Sequence, residues 1–453
     1  MVAPRPLQCT NLLKTSSAFN LSYILRATIL LMTFIAKFKK RFYFTAAKYF
    51  KFFASISLKK WHPRIIMITG SAGKTTMLNL IESQMGDRAH YSHDANSIFG
   101  ISFDILGMTG VTGSKLKWIQ LILESPVRAF SKHHKEKYYI VEADAERPHE
   151  AEMIAKWLKP ELSLWISLGR SHAMYFENDV KSGKFENIDD AIADAFAMIP
   201  RYTKKHVYID ADNSKMVELT KNIKAEVHAL SKDAVKEYEV YPDHAIFKIS
   251  EKKYQFHDPL PEKVSIQLVM LDELLRYLKV EPDYTFEKFE MPPGRGNFFE
   301  GEKGINIIDS SYNAHIISMA TILDFAHKLK AKHKWLVIGD IVEQGSFEEG
   351  EHRKLAQLIL DAKPERVILV GRRCRDYVYP TIRKKIDTES FTKPQDALKY
   401  IKNNITGDET LIFKGSQYLE WIIEKLLKNP EDVKKLCRQD LAHKKRRESW
   451  GLK

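Results

Sequence analysis

Residues 64–76 read RIIMITGSAGKTT, and this stretch decides the fold. Its first part, Arg64–Thr69, is a short apolar run of the kind that forms a buried strand. A glycine-rich loop follows directly, and the helical pattern MLNLIESQM comes after the loop. A strand, a glycine loop and a helix in this order predict a phosphate-binding loop, because backbone N–H groups and the positive end of the helix dipole both point at a bound phosphate.

Each part of this loop has an expected role in binding a nucleotide. The glycines let the backbone approach the phosphates, Lys74 reaches the terminal phosphates, and Thr75 binds Mg²⁺. The spacing is shorter than the standard GxxxxGK[ST] pattern, since only two residues separate the glycines. The residues expected to hold the nucleotide are Gly70, Ser71, Ala72, Gly73, Lys74, Thr75 and Thr76.

The positive charge of the chain is concentrated near its N-terminus. The 453 residues have a formal net charge of +13, yet residues 1–64 contain twelve Lys or Arg and no Asp or Glu. The remainder is close to neutral apart from a basic tail, so the composition argues against a nucleic-acid partner. Cys9, Cys374 and Cys437 lie far apart, in no pattern typical of zinc sites or disulfide frameworks, and a reducing cytoplasm fits them best.

Residues 1–62 are expected to form a basic helical extension. The apolar run Leu21–Ala36 is shorter than the about 20 residues of a spanning helix, and it contains Arg26. Phe42–Ile56 mixes aromatic residues with lysine, which is typical of a helix at an anionic membrane surface. Three interpretations stay open: peripheral contact of residues 20–60 with the inner face of the membrane, a helix packed on the catalytic body, and a cleaved targeting peptide.

Two α/β domains are expected after this extension, because the chain is too long for one hydrophobic core. In residues 63–288, strand-like runs alternate with helical patterns, which predicts a mostly parallel sheet with helices on both faces. A second alternation in residues 289–453 predicts a smaller Rossmann-like domain. The active site is expected between the two, where the strands end. The strands expected in the first domain are Ile65–Thr69, Tyr138–Val141, Leu162–Ser167 and Val207–Ile209.

Several segments, in order, resemble the Mur ligase superfamily. The loop ITGSAGKTT resembles the TGSxGKTT loop of that family, and IDSSYNAHIISM at 308–319 resembles its DDSYNANPxSM. The motifs YNA and GDxxEQG most resemble those of the branch that adds D-alanyl-D-alanine. Further matching segments are NSIFGISFDIL at 96–106, YIVEAD at 139–144, KPELSLWISLGRSH at 159–172, PGRG at 293–296, VIGDIVEQG at 337–345 and FKGS at 413–416.

The resemblance implies an ATP-dependent ligase that activates a carboxylate as an acyl phosphate and joins it to an amine. It implies that Thr75 and Glu142 hold Mg²⁺ and that His172 binds a second metal. The residues that it marks as catalytic are Lys74, Glu142, His172, Arg295 and Lys414. It also implies that Arg295, Asp309 and Asn313 contact ATP, that Ser416 lies with Lys414 on the amine side, and that Asp340, Glu343 and His352 face the cleft.

The sequence departs from the family pattern in three places. Ile192 stands where many relatives carry a carbamylated lysine, so a second metal is expected to be held differently, for example by Asp190 or Asp194, or not at all. Pro261–Leu275 lacks the usual GxHNxxNAxAA signature, which removes the residues expected at adenine or between domains. Residues 1–62 also leave no room for the usual uridine-nucleotide domain.

These departures keep three functions open. The leading one is a cytoplasmic, monomeric ligase that adds an amino acid or dipeptide to a cell-wall peptide precursor. The second is a ligase for an acceptor without UDP, such as a poly-amino acid or a folate-like molecule. The third is a relative that binds ATP without catalysis. Closure by a hinge near Glu281–Pro293 is expected in the catalytic cases.

Overall fold

The computed structural model describes residues 43–93, 95–110, 115–131, 134–416 and 418–452. A helix, α1, spans residues 43–61 and leads into the first of two six-stranded sheets. The apolar run Leu21–Ala36 lies outside the described residues. What was expected of this run therefore stays a prediction.

Six parallel strands form the first sheet, in the order β2-β3-β1-β4-β5-β6. They are β1 (Arg64–Thr69), β2 (Ala89–Tyr91), β3 (Tyr138–Ala143), β4 (Leu162–Trp165), β5 (His206–Asp210) and β6 (Glu226–Leu230). All four predicted strands are present, and β4 ends two residues earlier than expected. Every residue of β3 is buried, as expected for a strand covered on both faces.

Helices cover both faces of this sheet. They are α2 (Lys74–Met85), α3 (Ile98–Ile105), α4 (Lys115–Phe130), α5 (Glu150–Leu158), α6 (Glu177–Lys181), α7 (Ile188–Tyr202), α8 (Ser214–Thr220) and α9 (Ser265–Leu278). Buried side chains of α2 and α9 share one core. Those of α1, α3, α5 and α7 share the core on the opposite face.

A small antiparallel sheet, absent from the sequence prediction, lies between the first sheet and α9 in the chain. Its strands are β7 (Val235–Val240), β8 (Ala245–Ile249) and β9 (Lys252–Phe256). Phe247 and Phe256 are fully buried in the core that α2 and α9 share. This sheet therefore extends the core toward the second half of the chain.

The second large sheet has the order β10-β11-β15-β12-β13-β14, with only the β10–β11 pair antiparallel. Its strands are β10 (Asn297–Glu300), β11 (Asn306–Ser310), β12 (His333–Gly339), β13 (Arg366–Val370), β14 (Asp387–Phe391) and β15 (Glu409–Lys414). Its helices are α10 (Ile316–Lys328), α11 (Glu348–Ala362), α12 (Tyr379–Ile382), α13 (Pro394–Asn404), α14 (Leu419–Glu424) and α15 (Leu441–Ser449). The predicted α/β fold class is confirmed.

Helix α1 packs on the body of the protein, in agreement with one of the three interpretations of the extension. Phe50 is 1% exposed, and its ring meets the ring of Phe103 on α3 at a centroid distance of 4.9 Å. The neighbouring Phe52 is 61% exposed. Among the described residues, no helix is long and apolar enough to cross a membrane.

Replacement of Phe50 by alanine is expected to lower the free energy of unfolding by about 3–5 kcal/mol, because it leaves a cavity under α1. Urea denaturation followed by circular dichroism measures the change. The matched control is Phe52→Ala on the same helix, which should stay within about 0.5 kcal/mol of the unaltered protein. Equal losses in the two variants would show that α1 does not pack as described.

Candidate active site

The phosphate-binding loop is closed on itself by its own lysine. Lys74 Nζ donates a hydrogen bond of 2.6 Å to the carbonyl oxygen of Gly70, and it lies 3.0 Å from Asp144 Oδ2. Gly73 begins α2 with a φ of 83°, and a Cβ there would lie 2.5 Å from Gln267 Nε2. A residue with a side chain at position 73 would have to adopt this positive φ and would also contact Gln267 too closely. The loop conformation therefore depends on this glycine.

Two carboxylates from the end of β3 face the loop. Glu142 Oε2 accepts a hydrogen bond of 3.3 Å from Thr75 Oγ1. Burial raises the pKa of Glu142 above its usual range, although Lys74 and Arg295 oppose the rise. Burial alone would also raise the pKa of Asp144, but Lys74 and His172 outweigh it and hold that pKa below its usual range. Asp144 is thus the stronger counter-ion of the loop lysine.

His172 lies at the junction of the two halves of the chain. It has a φ of 52°, and its Nδ1 is 3.3 Å from Glu343 Oε2 in the loop after β12. At this distance the two side chains form an ion pair when the imidazole is protonated. Burial lowers the pKa of His172, but Glu343 and Asp144 together bring a net rise above its usual value.

The second half of the chain contributes cationic side chains to the same place. Arg295 lies over the ring of Tyr312, at 4.4 Å from the ring centroid. Lys414 is the last residue of β15 and is 6% exposed. Burial, aided by Arg295 and Arg438, lowers the pKa of Lys414 to about 7. Asn313 is exposed and its side chain accepts from the N–H of Ala314.

Most of the predicted site residues line one cavity of about 310 Å³ between the two large sheets. The two walls are the phosphate-binding loop and the ends of the strands of the second sheet. Of the predicted residues, those lining it are Ser71, Ala72, Gly73, Lys74, Thr75, Thr76, Glu142, His172, Arg295, Asn313, Glu343 and Lys414. Gly70 lies just behind this lining and is bonded to Lys74.

Some predicted residues do not reach this cavity. Asp309 is fully buried behind the wall, where its Oδ1 accepts from the N–H of Ser311, and burial raises its pKa to about 6. Asp340 accepts from the N–H of Cys374, and His352 accepts from the N–H of Ile341. The expectation that Asp340 and His352 face the cleft is therefore wrong, because both support the loops of the second sheet.

Ser416 is buried beside Asp340, whose carbonyl oxygen accepts from the N–H of Ser416, and it does not line the cavity. Ile192 is 1% exposed and packs in the core of α7. Asp190 pairs with Lys215 at 3.0 Å, and Asp194 with Arg201 at 2.7 Å. Neither aspartate lines the cavity, so neither of these two examples is placed to hold a second metal there.

Asp144, Gln267 and His315 are among the cavity residues that the sequence did not single out as site residues. Asp144 ends the segment YIVEAD, in which the resemblance marks only Glu142. Gln267 lies in the segment that departs from the family signature, and its buried Oε1 has no hydrogen-bond partner among the described residues. His315 stands where the resembling motif has asparagine, and burial together with Lys414 and Lys74 lowers its pKa to about 3.

His315 also begins α10, where its Nδ1 accepts a hydrogen bond from the N–H of Ser318. A neutral imidazole that accepts at Nδ1 carries its proton at Nε2. The structure thus supplies an uncharged N–H donor at a cavity wall that also holds Lys414. The signal in the sequence was the departure from asparagine itself.

Comparisons with known proteins agree with this arrangement. A family model described as the Mur ligase middle domain matches residues 68–269, and one described as Mur ligase, glutamate ligase domain matches residues 294–417. The chain belongs to the Mur ligase family. The predicted family is thereby confirmed over both walls of the cavity.

Two curated relatives of this Mur ligase are named UDP-N-acetylmuramoyl-tripeptide–D-alanyl-D-alanine ligase. The one from Rickettsia prowazekii is 23% identical over 298 residues, which are 62% of this chain and 64% of the relative. The one from Bacillus subtilis is 20% identical over 392 residues, 83% of this chain and 79% of the relative. The chain thus spans a little less than two thirds of the first relative.

A solved structure shows the same fold. The MurF ligase from Thermotoga maritima, in complex with ADP, matches with a TM-score of 0.66 and 16% sequence identity. The match covers 88% of this chain and 84% of that one. The predicted arrangement of two α/β parts is therefore shared with a solved Mur ligase.

Replacement of His315 by alanine is expected to lower the free energy of unfolding by about 1 kcal/mol, because the N–H of Ser318 loses its acceptor at the start of α10. His315→Asn should leave stability unchanged, since an asparagine side chain caps a helix equally well. Thermal denaturation of the two variants measures the difference. Equal stability of the alanine and asparagine variants would remove the capping role.

Replacement of Lys414 by methionine is expected to stabilise the free protein at low pH. The unfolded lysine has a pKa of 10.5 and the folded one a pKa of about 7, so folding releases a proton between these values. Stability is lost as the pH falls through this window, and the loss is complete below about pH 7. At pH 6 the variant should be more stable by roughly 2–4 kcal/mol, and the gain should vanish near pH 10.

Denaturation midpoints between pH 6 and pH 10 measure this effect. The matched control is Lys385→Met, since Lys385 is exposed and should show no gain that depends on pH. A constant difference between Lys414→Met and the unaltered protein across the range would contradict a displaced lysine pKa.

Proposed function

We propose that this Mur ligase is an ATP-dependent enzyme that joins a carboxylate to an amine through an acyl phosphate. The observation that carries the proposal is the shared cavity, whose walls bring the loop of Lys74 and Thr75 opposite Arg295 and Lys414. Attack of a carboxylate on a phosphoryl group brings several negative charges together. Lys74 on one wall and Arg295 on the other supply fixed positive charge, which stabilises such a transition state.

We propose that both walls of the cavity contact the phosphate groups that react. The N–H groups of the loop and Lys74 bind the ATP phosphates, while Arg295 on the opposite wall binds the γ-phosphoryl group, which becomes the acyl phosphate. Asp144 holds the ammonium of Lys74 against the loop before the nucleotide arrives. The loop is therefore set for phosphate without a rearrangement of its lysine.

The oxygen atoms around Thr75 suit a magnesium ion. Thr75 Oγ1 and the carboxylate of Glu142 lie 3.3 Å apart, and hydroxyl and carboxylate oxygens are the ligands that Mg²⁺ prefers. We propose that these two residues hold Mg²⁺, which neutralises charge between the phosphates when bound. For a second metal, His172 offers a ring nitrogen beside the carboxylate of Glu343.

Lys414 is suited to the amine half of the reaction. An attacking amine must lose protons, and a lysine with a pKa of about 7 is partly neutral near physiological pH. We propose that neutral Lys414 accepts a proton from the incoming amine. The imidazole of His315 on the same wall stays neutral and can donate its N–H to a carboxylate or phosphoryl oxygen.

The names of the relatives give the first substrates to test. Both act, by name, on a UDP-N-acetylmuramoyl-tripeptide and D-alanyl-D-alanine. We propose the same class for this chain: a cell-wall peptide precursor as acceptor, a dipeptide as amine, and the cytoplasm as the site of reaction. A monomer and membrane contact of residues 20–60 stay predictions.

The proposal predicts ADP release that requires acceptor, amine, ATP and Mg²⁺ together. A coupled assay with the full chain measures it, with UDP-N-acetylmuramoyl-tripeptide and D-alanyl-D-alanine first and folate-like or poly-amino-acid acceptors next. Lys74→Ala should lower the rate by about a thousandfold, because it removes the cation at the phosphates. Lys156→Ala, on the exposed face of α5, is the control and should keep full activity.

The outcomes separate the three functions. Release with the UDP precursor supports the proposal, and release with another acceptor keeps the ligase but changes its substrate. ATP binding without turnover on any pair would overturn catalysis and favour a binding protein.

A further inference from the structure

Helix α4 carries apolar side chains on its exposed side. Leu116, Ile119, Leu123, Val127 and Phe130 follow one another at intervals of three or four residues, so they form one stripe along the helix. Each of these side chains is between 55% and 78% exposed. We call these five residues the α4 stripe. A contiguous exposed apolar surface of this kind marks a site of interaction.

The stripe belongs to a helix that is firmly attached to the body of the protein. Leu121, Ser125 and Ala129 form the opposite, fully buried side of α4. Tyr49 on α1 donates a hydrogen bond of 2.8 Å to the carbonyl oxygen of Ile122, and Lys60 Nζ donates one of 3.1 Å to that of Phe130. Because the buried side already holds the helix in place, the stripe is not needed for folding.

The surface around the stripe is basic. Residues 43–61, which form α1, contain four lysines and no Asp or Glu. On α4 itself, Lys117 and Arg128 outweigh the single acidic residue, Glu124. Phe52 on α1 is also exposed, at 61%. Apolar side chains surrounded by lysine and arginine are typical of a surface that inserts into an anionic membrane interface.

We propose that the α4 stripe and the lysines of α1 dock this protein on the surface of an anionic membrane. Charge argues against two other partners for this surface, which are residues 1–42 of the same chain and a second copy of the protein. Residues 1–42 contain seven Lys or Arg and no acidic residue, and a second copy would present the same basic face. Either would bring like charges together beside the stripe. An anionic lipid surface satisfies both features, since its headgroups neutralise the lysines and its acyl boundary accepts the apolar side chains.

Co-sedimentation of the full chain with vesicles tests the proposal. The vesicles contain phosphatidylcholine with phosphatidylglycerol, or phosphatidylcholine alone. The full chain should bind the anionic vesicles, and the double variant Leu116→Asn with Leu123→Asn should bind about tenfold more weakly. Leu441→Asn is the matched control, because Leu441 on α15 is 77% exposed and lies outside the stripe. Its binding should equal that of the unaltered chain.

Other outcomes overturn the proposal. Equal binding of the double variant and the unaltered chain would place the membrane contact elsewhere, and equal binding to neutral vesicles would remove the role of charge. A chain that binds no vesicles is not a membrane protein of this kind. In that case, sedimentation velocity shows whether the stripe joins two copies, since the double variant would then shift a dimer to a monomer. Lipid binding is measured without catalysis, so its outcome is independent of the ligase assay.

Discussion

The ammonium of Lys74, held between the carbonyl of Gly70 and the carboxylate of Asp144, is the interaction on which the rest of the site depends. It exists because β1 and β3 are parallel neighbours in register, with Thr69 opposite Ala143. The loop after β1 and the carboxylates at the end of β3 therefore meet at one edge of the sheet. Burial makes the pairing necessary, since a buried ammonium without a counter-ion is costly.

The second wall of the cavity is held by contacts between the two halves of the chain. Arg170 pairs across the halves with the buried Glu351 of α11 at 3.1 Å, while Asp189 in its own half holds it at 2.6 Å. Gly169 passes so close to α10 that a Cβ there would lie 1.6 Å from Ile317 Cδ1. These contacts bring Arg295 and Lys414 to the phosphate-binding loop. The predicted hinge segment is tied to α2 as well, because Asn79 donates to the carbonyl of Glu290.

Local signals in the sequence predicted the first sheet well. A β-branched strand next to a glycine loop has few alternatives, so β1 and α2 followed directly from residues 64–76. The resemblance then placed Glu142, His172, Arg295 and Lys414, which all line the cavity. The antiparallel sheet of β7–β9 was missed because its short strands carry no motif and gain their stability from the shared core.

The errors in the site have a common physical cause. Asp340 and Ser416 are polar residues in loops at strand ends, and His352 lies in α11 beside one of these loops. Such residues either face a ligand or satisfy buried backbone groups. Sequence spacing does not separate these two roles. Here the side chains of Asp340 and His352 accept hydrogen bonds from backbone N–H groups. Conversely, His315 lines the cavity, but it differs from the asparagine of the family motif. A resemblance to that motif therefore does not mark His315 as a site residue.

The central claim is that both halves of the chain bind the same nucleotide. Calorimetric titration of ATP with Mg²⁺ into Lys74→Ala, Arg295→Ala and the double variant tests it most directly. Because both cations face Glu142 and the space beside it, each single variant should bind ATP more weakly, and the two losses should not add in the double variant. Unchanged ATP affinity in Arg295→Ala would contradict the claim and confine the nucleotide to the first half.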